Sequence, residues 1–406
     1  MKIIKNGDVC TPAGFAACGI KAGLKKSGNT DMALIFSETP CESAGVFTSC
    51  RFAAAPVKQC IETLKKGNKC RAVIINSGNA NACTGKKGLE NARKMAELTA
   101  GKLKVSSSQV LVCSTGRIGV PMPMDKISKG IEKAIASLSN KGGGEASAAI
   151  MTTDTFAKKA AVSSRIGGRN VTVAGMAKGA GMIAPDLKGL HATMICIITT
   201  DADIERGFLQ KSLVESAEKS FNRITVDGDT STNDTILVLA NGVAGNRKIR
   251  QNSSDATLFR KALDYVTTQL ARQVVVDGEG VTKFVTVKVE KAASEKDALK
   301  CAKTIANSLL CKTAWFGCDP NWGRILAAAG RAGASFNPDK VDLYFDKTCA
   351  VRKGMGSGIP EEKLAEIMRN EEFSVRLVLN SGKSACEVWT NDISYEYVEI
   401  NADYHT

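Results

Sequence analysis

Residues 176–198 read M-A-K-G-A-G-M-I-A-P-D-L-K-G-L-H-A-T-M-I-C-I-I, and the chain is organised around this stretch. A glycine-rich turn that carries Lys178 leads through Pro185 to Thr193, and a short apolar run follows at once. Glycine permits positive φ and close backbone approach, and a short apolar run indicates a buried strand. A hydroxyl at the mouth of a buried strand is held rigidly, which makes Thr193 a candidate nucleophile.

Strand-like and helix-like segments alternate on both sides of this stretch. Gly167-Gly168 predicts a tight hairpin turn between two strands, and hairpins argue against a purely parallel sheet. The pattern therefore predicts an α+β fold with helices packed on mixed β-sheets. The glycine-rich segment Asn140–Ser147 is predicted to be a loop, and Cys386–Ile400 is predicted to be a strand.

Composition places the chain among globular proteins. With 406 residues, of which 44% are hydrophobic and 24% charged, it is long enough for one large or two medium domains. The apolar runs are far shorter than the ~20 residues that a membrane span needs, and the first residues resemble neither a signal nor a transit peptide. We therefore expect a soluble, cytoplasmic protein without a membrane partner.

The net charge of +14 raises the question of an anionic partner, either a nucleic acid or anionic metabolites. The basic residues are spread along predicted helices, and aromatic residues make up only 5% of the chain, which leaves little to build base-stacking platforms. A solvated basic surface explains the charge better. We expect no nucleic-acid partner.

Cysteine and histidine patterns do not predict a metal site. The 14 cysteines include no C-x-x-C pair, and the two histidines cannot complete zinc sites at the usual ligand spacing. Without an export signal, most of the cysteines are expected to be reduced thiols, several of them in the core.

Two local motifs suggest other chemistry. Gly179–Ala184 matches the letters of a dinucleotide-binding turn, but Pro185 stands where a helix should begin and no helical periodicity follows. Asp227–Asp234 resembles a calcium loop, but its glycine is at the second position and no glutamate closes the frame. We expect the second segment to be a hydrogen-bonded loop that supports a site; the less favoured alternative is that it binds magnesium or calcium.

Histidine is a weak candidate for the base that activates the nucleophile, because His191 is the only histidine away from the last residues of the sequence. If the peptide bond before Thr193 is cut, the new α-amine (unperturbed pKa ~8) lies beside the threonine hydroxyl and can act as its general base. The alternative is that Thr193 is an ordinary β-branched strand residue.

Motifs along the whole chain resemble the ornithine acetyltransferase (ArgJ) family of arginine biosynthesis. The stretch around Lys178 and Ala192-Thr193-Met194 resembles the family's autocleavage region. The likeness continues through G-V-F-T (45–48), N-S-G-N-A-N-A (76–82), C-S-T-G (113–116), M-T-T-D-T (151–155), F-N-R-I-T-V-D-G-D-T-S-T-N-D (221–234), D-G-E-G (277–280), D-P-N-W-G-R (319–324) and N-A-D-Y-H-T (401–406).

The resemblance implies an ArgJ/DmpA-like layered fold that cleaves itself between Ala192 and Thr193, into an α chain (1–192) and a β chain (193–406). It implies that Thr193 takes an acetyl group from N-acetylornithine and passes it to glutamate, with no cofactor, in an assembly of two α and two β chains. Thr115 and Gly116 match the family's oxyanion hole. The matched substrate-binding positions are Thr152, Lys178, Thr193, Glu279, Asn401 and Thr406.

One departure concerns the segment before the nucleophile. The family runs from its proline to the threonine in four steps, as in P-N-M-A-T, whereas Pro185 to Thr193 takes eight. A longer loop costs little closure entropy, but it can displace the Ala192 carbonyl. We predict that cleavage still occurs. One alternative is a related N-terminal-nucleophile amidohydrolase or aminopeptidase, in which water is the acceptor. Another is an uncleaved, non-catalytic binding protein. Whether acetyl-CoA is a second acetyl donor stays open.

Overall fold

The computed structural model describes residues 1–67, 69–185 and 194–403. The chain divides into two compact units. Unit 1 comprises Met1–Asn222 and Thr230–Val274, and unit 2 comprises Arg223–Asp229 and the residues from Val275 onward. Unit 1 therefore contains residues from both sides of the predicted cleavage position.

The strands described in unit 1 form one mixed sheet of nine. They are β1 (Lys2–Ile3), β2 (Phe15–Ile20), β3 (Met32–Phe47), β4 (Cys70–Asn79), β5 (Val110–Arg117), β6 (Lys158–Ile166), β7 (Arg169–Lys178), β8 (Ile195–Thr200) and β9 (Thr235–Ala240). Their order is β1-β6-β7-β8-β9-β3-β4-β5, and β2 also pairs with β3. The pairs β4/β5 and β8/β9 are parallel, and the others are antiparallel.

The helices that accompany these strands are α1 (Ala55–Lys65), α2 (Gly85–Leu103), α3 (Met124–Ala136), α4 (Gly143–Ala149), α5 (Arg206–Lys219) and α6 (Ser254–Val276).

The long strand β3 changes partners along its length and so divides the sheet into two half-sheets. Its first part, up to Cys41, pairs with β2 and β4, and its second part, Glu42–Phe47, pairs with β9. Ile75 and Leu111 of the first half-sheet lie in one buried cluster with Ile197 and Leu237 of the second. The two half-sheets therefore pack face to face.

The outer faces of the half-sheets are covered by helices. Because successive strand residues point to opposite faces, Ile74 lies in a second buried cluster, with Met95 of α2 and Ile131 of α3. On the other side Gly175 of β7 leaves room for α6, since a Cβ atom there would lie 2.9 Å from Leu270 Cδ1. Unit 1 is thus layered as helix, sheet, sheet and helix, and the continuous apolar runs of its strands reflect burial on both faces.

Unit 2 has a mixed sheet of six described strands with helices beside it. The strands are β10 (Phe284–Ala292), β11 (Asp342–Phe345), β12 (Thr348–Arg352), β13 (Met355–Gly356), β14 (Glu372–Val378) and β15 (Ser384–Asn391), in the order β13-β12-β11-β14-β10-β15. The helices are α7 (Glu295–Ala306), α8 (Leu309–Phe316), α9 (Trp322–Gly330), α10 (Glu361–Met368) and α11 (Tyr395–Asp403). Val287, Ala302, Trp315 and Val375 share the buried core of this unit.

The α+β class with helices on mixed sheets is confirmed, and so is the hairpin at Gly167-Gly168, where Ile166 pairs with Arg169 across the turn. All 14 cysteines are free thiols in the structure, and several of them are buried, in agreement with the expectation that most are reduced and some lie in the core. No helix in the described part of the chain is long and apolar enough to cross a bilayer.

Two local predictions are wrong. The segment Asn140–Ser147 contains the start of α4 instead of being a loop throughout. Gly142 lets the chain pass very close to strand β2, because a Cβ atom at this position would lie 2.0 Å from the Ala17 carbonyl oxygen. The predicted strand Cys386–Ile400 ends as β15 at Asn391, and α11 begins at Tyr395.

Candidate active site

Thr115 and Gly116, the predicted oxyanion-hole pair, lie at the carboxyl end of β5. The parallel strand β4 runs beside them, with Ser77 opposite Thr115 and Gly78 opposite Gly116. Gly116 has φ +124°, and a Cβ atom there would lie 2.4 Å from the Gly78 carbonyl carbon. Only glycine fits this position, so the backbone at the end of β5 is held in a conformation that other residues cannot adopt without strain.

Buried amide groups support this strand end. Ser114 Oγ donates to Asn76 Oδ1 at 2.6 Å, and Asn233 Nδ2 donates to the carbonyl oxygens of Ser114 and Ala80 at 2.7 and 2.6 Å. Asn233 belongs to the Asp227–Asp234 segment, which the sequence predicts to be a supporting hydrogen-bonded loop. Its bond to the Ser114 carbonyl shows that this loop is hydrogen-bonded to β5, and its support of a functional site stays a prediction.

Lys178, a predicted substrate-binding residue, lies at the end of β7 and is buried. Its Nζ atom donates to Thr115 Oγ1 at 3.5 Å and lies 4.0 Å from Asp154 Oδ2. The fold therefore brings the ammonium group of Lys178 to the hydroxyl group of Thr115, the predicted oxyanion-hole threonine.

Asp154 joins several parts of the site through one buried carboxylate. Its Oδ1 atom accepts from Lys158 Nζ at 2.6 Å and from the Gly179 N–H at 2.7 Å, and its Oδ2 atom accepts from the Thr152 N–H at 2.9 Å. Burial by itself raises the pKa of Asp154, but the Lys178 and Lys158 ammonium groups and the hydrogen bonds from Lys158 and the Thr152 N–H hold it well below its usual range. Asp154 is thus an anion that ties Thr152 and Lys178 together.

Asp154 and Lys158 are site residues that sequence reasoning missed. Asp154 is part of the M-T-T-D-T motif (151–155), which assigned it no role. The other signal was a carboxylate followed four residues later by a lysine, in a stretch without helical periodicity. Such a spacing is common on solvated surfaces, and nothing in it indicates that both side chains are fully buried.

A second buried carboxyl group, that of Asp234, precedes β9. Its Oδ2 atom has no hydrogen-bond partner among the described residues, and its side chain is 1% exposed. Burial raises the pKa of Asp234 well above its usual range, although the charge of Lys178 and the backbone amides of Met194 and Ser231 lower it. The Met194 amide that contacts this carboxyl group belongs to the residue directly after Thr193, the predicted nucleophile, in the sequence.

Several predicted positions lie outside the described residues. They are Ala192 and Thr193 at the predicted cleavage bond, His191 beside them, and Thr406. The structure describes the approach to this segment as far as Pro185, and Thr230 Oγ1 donates to the Ala184 carbonyl at 2.9 Å. The described residues 179–185 form no helix, as Pro185 predicts.

Glu279 and Asn401, two further predicted substrate-binding residues, meet in unit 2. Asn401 Nδ2 donates to Glu279 Oε2 at 2.8 Å and to the Tyr397 carbonyl at 2.9 Å. Glu279 is 9% exposed and precedes Gly280, whose φ of +64° makes a turn. The fold thus brings together residues that are 122 positions apart in the chain.

Among the described residues, no group of three or more His, Cys, Asp or Glu side chains is arranged to hold a metal ion.

Sequence comparison identifies one family. The model of the ArgJ family matches residues 16–406. The "Arginine biosynthesis bifunctional protein ArgJ" of Caldanaerobacter subterraneus subsp. tengcongensis is 46% identical over 99% of this chain and 100% of its own length. The protein of the same name from Geobacter sulfurreducens is 46% identical over 97% of this chain and 99% of its own.

Solved structures with related sequences cover about half of the chain. The arginine biosynthesis bifunctional protein of Bacillus halodurans is 39% identical over 51% of this chain and 97% of that one, with a TM-score of 0.49. The ornithine acetyltransferase of Mycobacterium tuberculosis, solved with ornithine, is 43% identical over 46% of this chain and 99% of that one, with a TM-score of 0.43.

Proposed function

The chain belongs to the ArgJ family, and on that premise we propose that it is a glutamate N-acetyltransferase of arginine biosynthesis. The reaction moves the acetyl group of N-acetylornithine to glutamate through an ester on Thr193. The observation that carries the proposal is the placement of Lys178 Nζ at 3.5 Å from Thr115 Oγ1, in a chain 46% identical to bifunctional acetyl-transfer relatives over its whole length.

The first half-reaction opens the acetyl amide. After cleavage of the Ala192–Thr193 bond, the free α-amine of Thr193 takes the proton of its own hydroxyl, and Oγ1 attacks the acetyl carbonyl carbon. The Thr115 hydroxyl and the Gly116 N–H stabilise the negative oxygen of the tetrahedral intermediate. The amide C–N bond then breaks, the proton passes to the departing nitrogen, and ornithine leaves.

The second half-reaction repeats these steps in reverse with another amine. The α-amine of glutamate attacks the ester carbonyl, the ester C–O bond breaks, and the proton returns to Thr193 Oγ1. Water in the place of glutamate would make the enzyme a hydrolase. Acetyl-CoA in the place of N-acetylornithine would supply the acetyl group by breaking a thioester, and the bifunctional name of the relatives favours this second donor.

Charged side chains are assigned to the substrate by chemistry. Lys178 suits the substrate carboxylate, and Glu279, supported by Asn401, suits its ammonium group. Thr152 and Thr406 complete the proposed binding set. We also propose that the enzyme works in the cytoplasm, requires no cofactor and assembles from two α and two β chains.

Product analysis tests the function directly. The purified protein is incubated with N-acetylornithine, with and without glutamate, and ornithine, N-acetylglutamate and acetate are quantified; Thr193→Ala is the control. Ornithine and N-acetylglutamate in equal amounts, formed only with glutamate present, support the proposal. Acetate formed without glutamate would identify a hydrolase, and no turnover would identify a binding protein. Acetyl-CoA in the place of N-acetylornithine tests the second donor.

A further inference from the structure

Lys312, in α8, is a buried lysine that the proposed reaction does not use. Its side chain is 1% exposed. The Nζ atom donates to Thr390 Oγ1 at 2.9 Å, to Asn391 Oδ1 at 2.8 Å and to the Asn391 carbonyl. No carboxylate in the described part of unit 2 pairs with it. A buried lysine whose direct hydrogen-bond partners are all neutral groups costs folding free energy, so a structural or functional role is expected for it.

The three acceptors match the three donors of an ammonium group. Burial lowers the pKa of Lys312 to about 7, whereas the charges of Asp392, Asp227 and Cys311 act in the opposite direction. Two of the three acceptors belong to Asn391. Lys312 therefore fixes both the backbone and the side chain of that one residue.

Asn391 in turn contacts the segment that carries Glu279. Its Nδ2 atom donates to the Val275 carbonyl at 3.2 Å. It also packs directly on Gly278, since a Cβ atom on that glycine would lie 2.3 Å from Asn391 Nδ2. The amide of Asn391 thus lies against the residue immediately before Glu279.

The residues after Asn391 hold the other side of Glu279. Ser394 Oγ donates to the Gly280 carbonyl at 2.6 Å. The Asp392 carboxylate accepts from the backbone N–H groups of Thr282 and Lys283 at 2.9 and 3.0 Å. Residues 391–394 therefore hold the chain by hydrogen bonds and packing on both sides of Glu279.

We propose that Lys312 is a positioning residue: by fixing Asn391, it holds the Gly278–Gly280 turn so that Glu279 presents its carboxylate to the ammonium group of the substrate in a single orientation. The proposal rests on the proposed function, in which Glu279 binds that ammonium. Lys312 itself does not touch the substrate. Its effect is therefore expected in the binding of N-acetylornithine, because a small displacement of a binding carboxylate weakens binding strongly.

Steady-state kinetics of Lys312→Met test this role. The variant keeps the length of the side chain and removes its three donors, and we expect the KM for N-acetylornithine to rise about tenfold or more while kcat stays within about twofold. Lys300→Met is the matched control, since it removes a lysine from the exposed surface of α7 in the same unit, and it should leave KM unchanged. Lys312→Arg, which keeps the charge and several donors, should restore part of the loss.

A double-mutant cycle separates positioning from general destabilisation. In the Glu279→Gln background, Lys312→Met should raise KM by less than about twofold, because the carboxylate that it positions is already gone. If the rise in KM of the double variant instead equals the product of the rises in the two single variants, the proposal is wrong. If Lys312→Met does not fold, Asn391→Ala replaces it, with the same expected rise in KM and the same cycle.

The outcomes distinguish this proposal from the proposed function. A wild-type protein that transfers no acetyl group contradicts the proposed function. A wild-type protein that transfers it, with Lys312→Met and Asn391→Ala both at the wild-type KM, contradicts the positioning role alone.

Discussion

The Nζ atom of Lys178 lies 3.5 Å from the Oγ1 atom of Thr115, although 63 residues separate them in the chain. In a flat sheet with this strand order, β7 and β5 would be five spacings, or about 24 Å, apart. They meet because β3 joins two half-sheets that fold face to face. The proposed oxyanion site thus exists only once this sandwich has formed.

The first prediction concerns cleavage before Thr193. The purified wild-type protein should run as two fragments of similar size, with Thr193 as the second N-terminus. The proposed base, the α-amine of Thr193, is free only after this cleavage, so an active enzyme must be cleaved. Thr193→Ala should run as one intact chain without acetyl transfer, since it has no hydroxyl to attack the Ala192 carbonyl. Gel electrophoresis and N-terminal sequencing measure both. An intact wild-type chain that transfers no acetyl group would overturn both cleavage and the proposed function.

The second prediction concerns the hydroxyl group of Thr115. Thr115→Val should lower kcat for acetyl transfer about 100- to 1,000-fold, which is the usual effect of losing one oxyanion donor. Thr115→Ser keeps the hydroxyl and should retain most of the activity. Thermal unfolding of the two variants should differ little, because Thr115 is only half-buried. Equal rates for Thr115→Val and the wild type would remove Thr115 from the oxyanion hole.

The third prediction concerns the buried ion pair of Asp154 and Lys158. Asp154→Asn should lower the free energy of unfolding at pH 7 by about 3–5 kcal/mol, because it leaves the lysine charge buried without its counter-ion. Asp125→Asn, at the exposed start of α3, is the matched control, with an expected loss of at most about 1 kcal/mol. Urea unfolding of the three proteins measures the difference. Similar values for the two variants would mean that the ion pair contributes little.

The same pair predicts an acid dependence. The pKa of Asp154 in the folded protein is lower than in the unfolded chain, so its stabilising contribution is present above about pH 4 and is lost as the pH falls toward the folded-state pKa. The stability gap between the wild type and Asp154→Asn should therefore narrow when urea unfolding is repeated at pH 5, 4 and 3. A constant gap would contradict the lowered pKa.

The fourth prediction concerns Asp234, whose folded-state pKa is raised by burial. A carboxyl group with a raised pKa holds its proton longer in the folded than in the unfolded chain. Stability is therefore lost as the pH rises from about 4 toward the folded-state pKa, by up to about 1.4 kcal/mol per pH unit. Asp234→Asn removes this titration. As the pH rises from 4 to 7, the free energy of unfolding of the wild type should therefore decrease relative to that of the variant. Parallel pH profiles of the two proteins would show that Asp234 titrates normally.

Local patterns predicted much of this fold. The Gly167-Gly168 pair predicts a hairpin because two glycines accept positive φ, and both have it in the structure. Pro185 correctly predicted that the described residues from Gly181 to Pro185 form no helix. The prediction of a loop at the glycines 142–144 was wrong, because a run of glycines can indicate either a mobile loop or close contact with another element. In the structure Gly142 lies directly against strand β2, so close contact is the reason at that position.

The support of the candidate site could not be predicted in this way. The buried charge of Asp154, the three bonds of Lys312 and the Asp234 oxygen that has no partner in the described part of the chain all depend on what surrounds each side chain. A carboxylate or a lysine looks the same in a sequence whether water or a protein core surrounds it, and its pKa depends on burial, neighbouring charges and hydrogen bonds that only the fold supplies.

The amino-acid sequence by itself determined the α+β class and the family, because periodicity, turn residues and motif spacing are local properties of the chain. The reacting groups are predictions that rest on the resemblance to that family. The tertiary structure alone decided that Lys178 meets Thr115, that Asp154 holds Thr152 and Lys178 together, and that Asn401 meets Glu279. These pairs lie on different elements, and their distances follow from the folding of the half-sheets and from close packing around the turns.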